Sequence, residues 1–205
     1  RTLTPVPQTA ALVCDVAKGL GAAETDVRLA AQATEASVKA MSTSGALASY
    51  ATLNFATHGA IAGELKGSAE PGLVLSPPGE ASEEDDGYLS AAEVAGLKLD
   101  ADWVILSACN TAAGGAGNAE ALSGLARSFF YAGARALLVS HWSVRESAAV
   151  ALVTKAAATS TGKSLGRAEA MRRAMLALAD APDAATAHPA YWAPFVVVGE
   201  GAAER

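Results

Sequence analysis

Residues 102–107 read DWVILS, and the unbroken apolar centre of this stretch, Trp103 to Leu106, decides the fold class. A strand with one face in water alternates apolar and polar residues; one that is apolar at every position is covered on both faces, as in a parallel sheet sandwiched by helices. The stretch runs into Ala108-Cys109-Asn110-Thr111 and a glycine-rich loop at 113–118. A helical pattern follows through Leu122, Leu125, Phe129 and Phe130 and stops near Gly133. Arg135 to Ser140 (RALLVS) then returns as a second buried strand.

Upstream, Ala51 to Thr57 (ATLNFAT) is a β-prone run closed by His58-Gly59, and Gly72 to Ser76 is another, bounded by Pro71 and Pro77-Pro78. Ser90 and Glu93 have the spacing of a capping box that starts a short helix towards Leu97. Residues 8–20 put Leu12, Val13, Val16, Ala17 and Leu20 on one helical stripe. Asp26 to Ala31 alternates like a short strand, and Thr34 caps a helix through Met41, with Gly45 beyond. Downstream, two alanine-rich helices near 145–159 and 164–179, joined by Thr161-Gly162, precede a last strand, Phe195 to Val198. The alternation predicts a three-layer α-β-α sandwich with a central, mostly parallel sheet, in a single domain over residues 1–205.

Composition narrows the function. Of 205 residues, 51% are hydrophobic and 18% charged, enough burial for one folded core. The net charge of −6, with no Lys/Arg cluster, argues against nucleic acid as a partner. No apolar stretch approaches the ~20 residues of a membrane span. Cys14 and Cys109 show no CxxC spacing, so neither a disulfide framework nor a metal site is expected, and a reducing, cytoplasmic setting fits. Arg1-Thr2-Leu3-Thr4-Pro5 carries no initiator Met or signal layout and reads as the start of a piece of a longer protein.

Ligands of such sheets bind beyond the carboxyl ends of the strands. His58 and Cys109 each follow a predicted strand, so both are expected at one crevice. A histidine within reach of a cysteine takes its proton and stabilises the thiolate, the nucleophile of acyl transfer. Gly59 leaves room for a substrate carbonyl, and the backbone N–H groups of Gly59 and Cys109 are the expected oxyanion donors. The histidine precedes the cysteine by 51 residues, close to the ~50 of one family of cysteine peptidases.

Other candidates read differently. Cys14 is expected to be an inert, partly buried thiol, and His188 a surface residue. In the loop at 113–118, Glu120 stands where a dinucleotide fingerprint needs its third glycine, and no Walker lysine is present. The acidic segment at 80–86 reads as a solvated connector, with steering of basic peptides towards a neighbouring cleft as the lesser alternative. His141 either touches substrate or orients a loop.

At these residues the chain resembles the CHAT domain, a caspase-like bacterial cysteine peptidase module often joined to TPR repeats. Tyr50 to Gly59 (YATLNFATHG) is similar to the family's histidine strand and Leu106 to Ala112 (LSACNTA) to its cysteine strand. Gly124 to Trp142 and Tyr191 to Gly199 are similar to the helix and strands that follow. The resemblance implies His58 as general base and acid and Cys109 as nucleophile, with Ser107, Ser140, His141 and Trp142 on the substrate cleft. It implies protein or peptide substrates, no cofactor, and TPR repeats or another N-terminal regulatory region as partner. Asn54 stands where the family commonly has histidine, His141 where it has an aliphatic residue, and the family's first strand is not matched. A module kept only for binding partners, or a peptidase latent until processed, is the alternative.

Overall fold

The computed structural model describes residues 8–65, 68–82, 84–107, 121–141, 146–160 and 165–202. Among these, four strands form the main sheet: β1 (Thr52–Phe55), β5 (Trp103–Leu106), β6 (Ala136–Ser140) and β7 (Phe195–Gly199), in that spatial order. β1, β5 and β6 run parallel, and β7 closes the sheet antiparallel to β6. A second, antiparallel sheet holds β2 (His58–Ala60), β3 (Gly72–Val74) and β4 (Tyr88–Ser90).

The apolar run that suggested a doubly covered strand is one: Trp103 to Leu106 are all at most 2% exposed. Because side chains alternate across a strand, Val104 and Leu106 enter one core with Leu137 and Val139, while Trp103 and Ile105 enter the other with Ala136 and Leu138. The first core packs under α3 (Ala91–Ala95) and α4 (Ala121–Ala132), through Val94, Leu125 and Phe129, and under the small sheet through Leu73 and Leu89. The second packs under α1 (Gln8–Leu20), α5 (Glu146–Ser160) and α6 (Arg167–Ala179), through Leu12, Val16, Leu152, Val153, Met171 and Ala174. The architecture is therefore a helix-sheet-helix sandwich, as expected. Alanines 149, 156 and 157 let α5 approach the sheet and α1 closely.

Local signals explain the element starts. Thr34 Oγ1 accepts the Ser37 N–H at 3.1 Å and opens α2 (Glu35–Thr43). Ser90 and Glu93 form the expected reciprocal box: the Ser90 N–H donates to Glu93 Oε2 at 2.8 Å, and Ser90 Oγ accepts the Glu93 N–H at 3.3 Å.

Three expectations are corrected. Asp26 to Ala31 is no strand; it lies among two 3-10 turns, Glu24–Asp26 and Ala30–Gln32. The Asp26 carboxylate takes the Ala23 N–H at 3.0 Å, a local bond that competes with any ladder. Cys14 is exposed, because the stripe of α1 turns Leu12 and Val16 inward and leaves position 14 outside. His58 does not sit in a turn after a strand but opens β2. His188 is exposed, its Nδ1 accepting the Ala190 N–H at 3.2 Å.

Candidate functional site

Two limbs leave the main sheet side by side. β1 and β5 are parallel and in register, with Phe55 opposite Leu106, and the Ser107 N–H donates to the Phe55 carbonyl at 3.0 Å. His58 lies three residues beyond Phe55, and Cys109 two beyond Ser107. Cys109, Ala108, Trp142 and the loop at 113–118 lie outside the described residues, as does Glu120. β5 and β6 pair in parallel at Val104–Leu137 and Ile105–Leu138. Ser140 is buried at 2% exposure, beneath the rim, whereas His141 is exposed and held by its N–H to the Pro194 carbonyl at 2.9 Å.

His58 is half-buried and paired with Val74 across the small sheet. The hydrogen-bond pattern there fixes what Gly59 offers. Leu75 N–H donates to the Gly87 carbonyl and Ala91 N–H to the Pro71 carbonyl, so the intervening odd-numbered residue, Leu73, turns its peptide groups towards β4. Gly72 and Val74 therefore serve β2, bonding Ala60 and His58, and Gly59 directs its N–H away from the ladder. That is the orientation an outward-facing donor requires. Gly72 permits the close approach of β3 and β4: a Cβ there would lie 2.6 Å from the Leu89 carbonyl oxygen.

Asn54 lies at the carboxyl end of β1. Its Oδ1 accepts the Ser107 hydroxyl at 3.4 Å, while its Nδ2 is buried without a partner among the described residues. In the sequence it showed as an asparagine inside an otherwise β-prone run, at a position where the family commonly has histidine.

An ionic knot unmarked in the sequence anchors the acidic segment that leads into β4. Glu35, 1% exposed, accepts the Asp86 and Gly87 N–H groups at 3.0 Å each. Lys39 Nζ reaches Glu35 Oε1 at 2.5 Å, Glu93 Oε1 at 2.7 Å and the Glu84 carbonyl at 2.7 Å. Burial pushes the Glu35 carboxyl above its ordinary value despite Lys39. For Glu93 burial acts the same way but is outweighed by Lys39 and the Ser90 donors, and its carboxyl falls below the usual range. The acidic segment is thus pinned at Glu84, Asp86 and Gly87 instead of being a wholly solvated connector.

Among the described residues, no three His, Cys, Asp or Glu side chains converge where a metal could be held, and no helix is long and apolar enough to cross a membrane.

The mostly parallel sheet between helix layers defines a caspase-like α/β module. The chain belongs to the CHAT domain family, whose model matches residues 2–200. No curated protein matches it.

Proposed function

We propose that this CHAT domain is a cysteine endopeptidase working through Cys109 and His58. The observation that carries the reading is the parallel register of β1 and β5, which starts both residues' limbs from adjacent points on one sheet edge. In the proposed reaction, His58 takes the Cys109 proton and the thiolate attacks the scissile carbonyl carbon. The oxyanion is held by backbone N–H groups, of which that of Gly59 faces away from its ladder. Collapse breaks the C–N bond as His58 returns the proton to the leaving amine. Water, deprotonated by His58, then hydrolyses the thioester and frees the thiol. Ser107, His141 and Trp142 are assigned to the cleft, His141 being exposed, and Ser140, buried at 2% exposure, to the layer beneath it.

The test is active-site labelling by a short peptide electrophile, read by intact mass and peptide mapping. Labelling is expected at Cys109, absent in Cys109→Ala and slowed about 10²–10⁴-fold in His58→Ala. Proteolysis that survives Cys109→Ala in full, or labelling indifferent to His58, refutes the reading.

A further inference from the structure

β1 belongs to the main sheet and β2 to the small one, so the chain changes sheets within two residues, Ala56 and Thr57, that lie in neither ladder. His58 is the first residue past this joint. The direction in which its side chain leaves the backbone therefore depends on how the Thr57–His58 peptide is set.

One hydroxyl bears on that setting: Thr57 Oγ1 donates to the Val74 carbonyl. The hydroxyls of Ser44, Ser49, Ser128 and Thr159 reach back three or four residues within their own turns. That of Thr57 instead crosses 17 residues to another strand. Val74 is the ladder partner of His58, and the phase of the small sheet turns its carbonyl to the His58 N–H. A single oxygen thus receives donors from two consecutive residues, which its two lone pairs allow. With the Thr57 side chain and the next amide both held by one atom, rotation about the Thr57 Cα–C bond is blocked. The branched Cβ of Thr57 adds a stiff χ1.

That oxygen is a fixed point. Leu75, which follows Val74, donates its N–H to the Gly87 carbonyl at 2.8 Å, and Gly87 donates its own to Glu35 Oε2 at 3.0 Å. Ser76 donates its N–H to the Ala33 carbonyl at 2.9 Å and its hydroxyl to that of Ala30 at 2.7 Å. The end of β3 is thereby tied to α2 and to the turns before it, and Thr57 hooks the joint onto the tied strand.

We infer that Thr57 is a positioning residue of the site: by sharing the Val74 carbonyl with the His58 amide, its hydroxyl fixes the peptide from which the imidazole projects. The inference rests on the peptidase reading for what His58 is positioned to do. A misplacement of about 1 Å in reacting groups costs on the order of 10²-fold in rate, so a hook at this joint has leverage far beyond one surface hydrogen bond.

The test follows Cys109 labelling by the short peptide electrophile against pH, in the full chain. Thr57→Val removes the hydroxyl and keeps the branched shape; Thr57→Ala removes it and leaves no atom against the Val74 oxygen. Thr57→Ser keeps the hydroxyl and drops the methyl. Thr57→Val and Thr57→Ala are expected to label about tenfold more slowly or worse at pH 7. The midpoint of their pH profile is expected to rise towards the ~8.5 of an unassisted thiol. Thr57→Ser is expected to keep the wild-type midpoint and a rate within about threefold of wild type. Thermal unfolding identifies the folded variants, and Thr57→Ala carries the test where Thr57→Val does not fold.

A second arm adds Thr57→Ala to His58→Ala. The added change is expected to alter the remaining rate by less than about twofold, because the hydroxyl acts only through the imidazole. Three results overturn the positioning role and leave the peptidase reading standing: His58-dependent labelling that ignores loss of the hydroxyl, slowing with an unmoved midpoint, and equal slowing with and without His58. Labelling indifferent to His58, or absent from the wild type, removes both.

Discussion

The Ser107 amide donates to the Phe55 carbonyl at 3.0 Å, the last rung of the β1–β5 pair among the described residues. Directly against Phe55 lies Phe129 of α4, ring centroids 5.7 Å apart and planes tilted by 51°. Phe129 is fully buried, so Phe129→Ala leaves a cavity under this rung and is expected to cost about 4 kcal/mol. In a chain of this size that lowers Tm by roughly 10 °C, readable by calorimetry. Phe129→Leu is expected to cost less than half as much.

Lys39→Met removes the one cation seen between Glu35 and Glu93 while keeping the stem. It strands a carboxylate that is 1% exposed, and the expected loss is about 3 kcal/mol, the low end for a broken buried pair because Lys39 itself is 30% exposed. Urea unfolding measures it. A loss under 0.5 kcal/mol would mean that the knot is ornamental.

The two acids of the knot carry opposite pH signatures. Glu93 has a lowered folded pKa, so its contribution is complete above the unfolded value near 4.5 and fades as pH falls through the folded one. Glu35 has a raised pKa, so its contribution is complete below 4.5 and fades as pH rises through the folded value. Stability relative to wild type is therefore expected to fall with rising pH for Glu93→Gln and to rise with it for Glu35→Gln, between pH 3 and 7. Slopes of the same sign would contradict the assignment.

Gly72→Ala forces a methyl against the Leu89 carbonyl oxygen and the Tyr88 ring, each 2.6 Å from the built Cβ. The expected cost is about 2 kcal/mol, with a larger drop in Cys109 labelling than the stability loss explains, because β3 is the strand that holds His58. Gly79→Ala meets nothing within 4 Å and serves as control, within ~0.5 kcal/mol of wild type.

Asn54→Val replaces a buried donor that has no acceptor among the described residues. Its 3.4 Å bond to Ser107 is weak, so the variant is expected to gain about 1 kcal/mol in thermal unfolding.

Much of the main sheet was legible because its strands announce themselves in single residues: four apolar positions in a row at 103–106, and caps at Thr34 and Ser90. These are local signals, and local signals survive folding. Asp26 to Ala31 misled because alternation over six residues is cheap to imitate, while the side-chain bond from Asp26 to the Ala23 amide carries no periodicity at all. The Glu35–Lys39–Glu93 knot joins positions 54 residues apart, and nothing in either segment names its partner. At the site, the histidine limb and the cysteine limb were visible as motifs. That His58 belongs to a different sheet from β5, and that Gly59 points its amide outward, depended on ladder phase, which only pairing partners determine.

His58 rides on the small antiparallel layer, whereas the limb towards Cys109 grows from the large parallel one; Ala56 and Thr57 join β1 to β2, and α3 with residues 96–102 joins β4 to β5. The small layer rests on the rest of the molecule through Leu73 and Leu89 and is clasped at its far end by Lys39. For the proposed His58–Cys109 couple, this division puts the two reacting groups on separate layers, so the seating of the small layer is expected to set the rate of Cys109 labelling without any change in the large one.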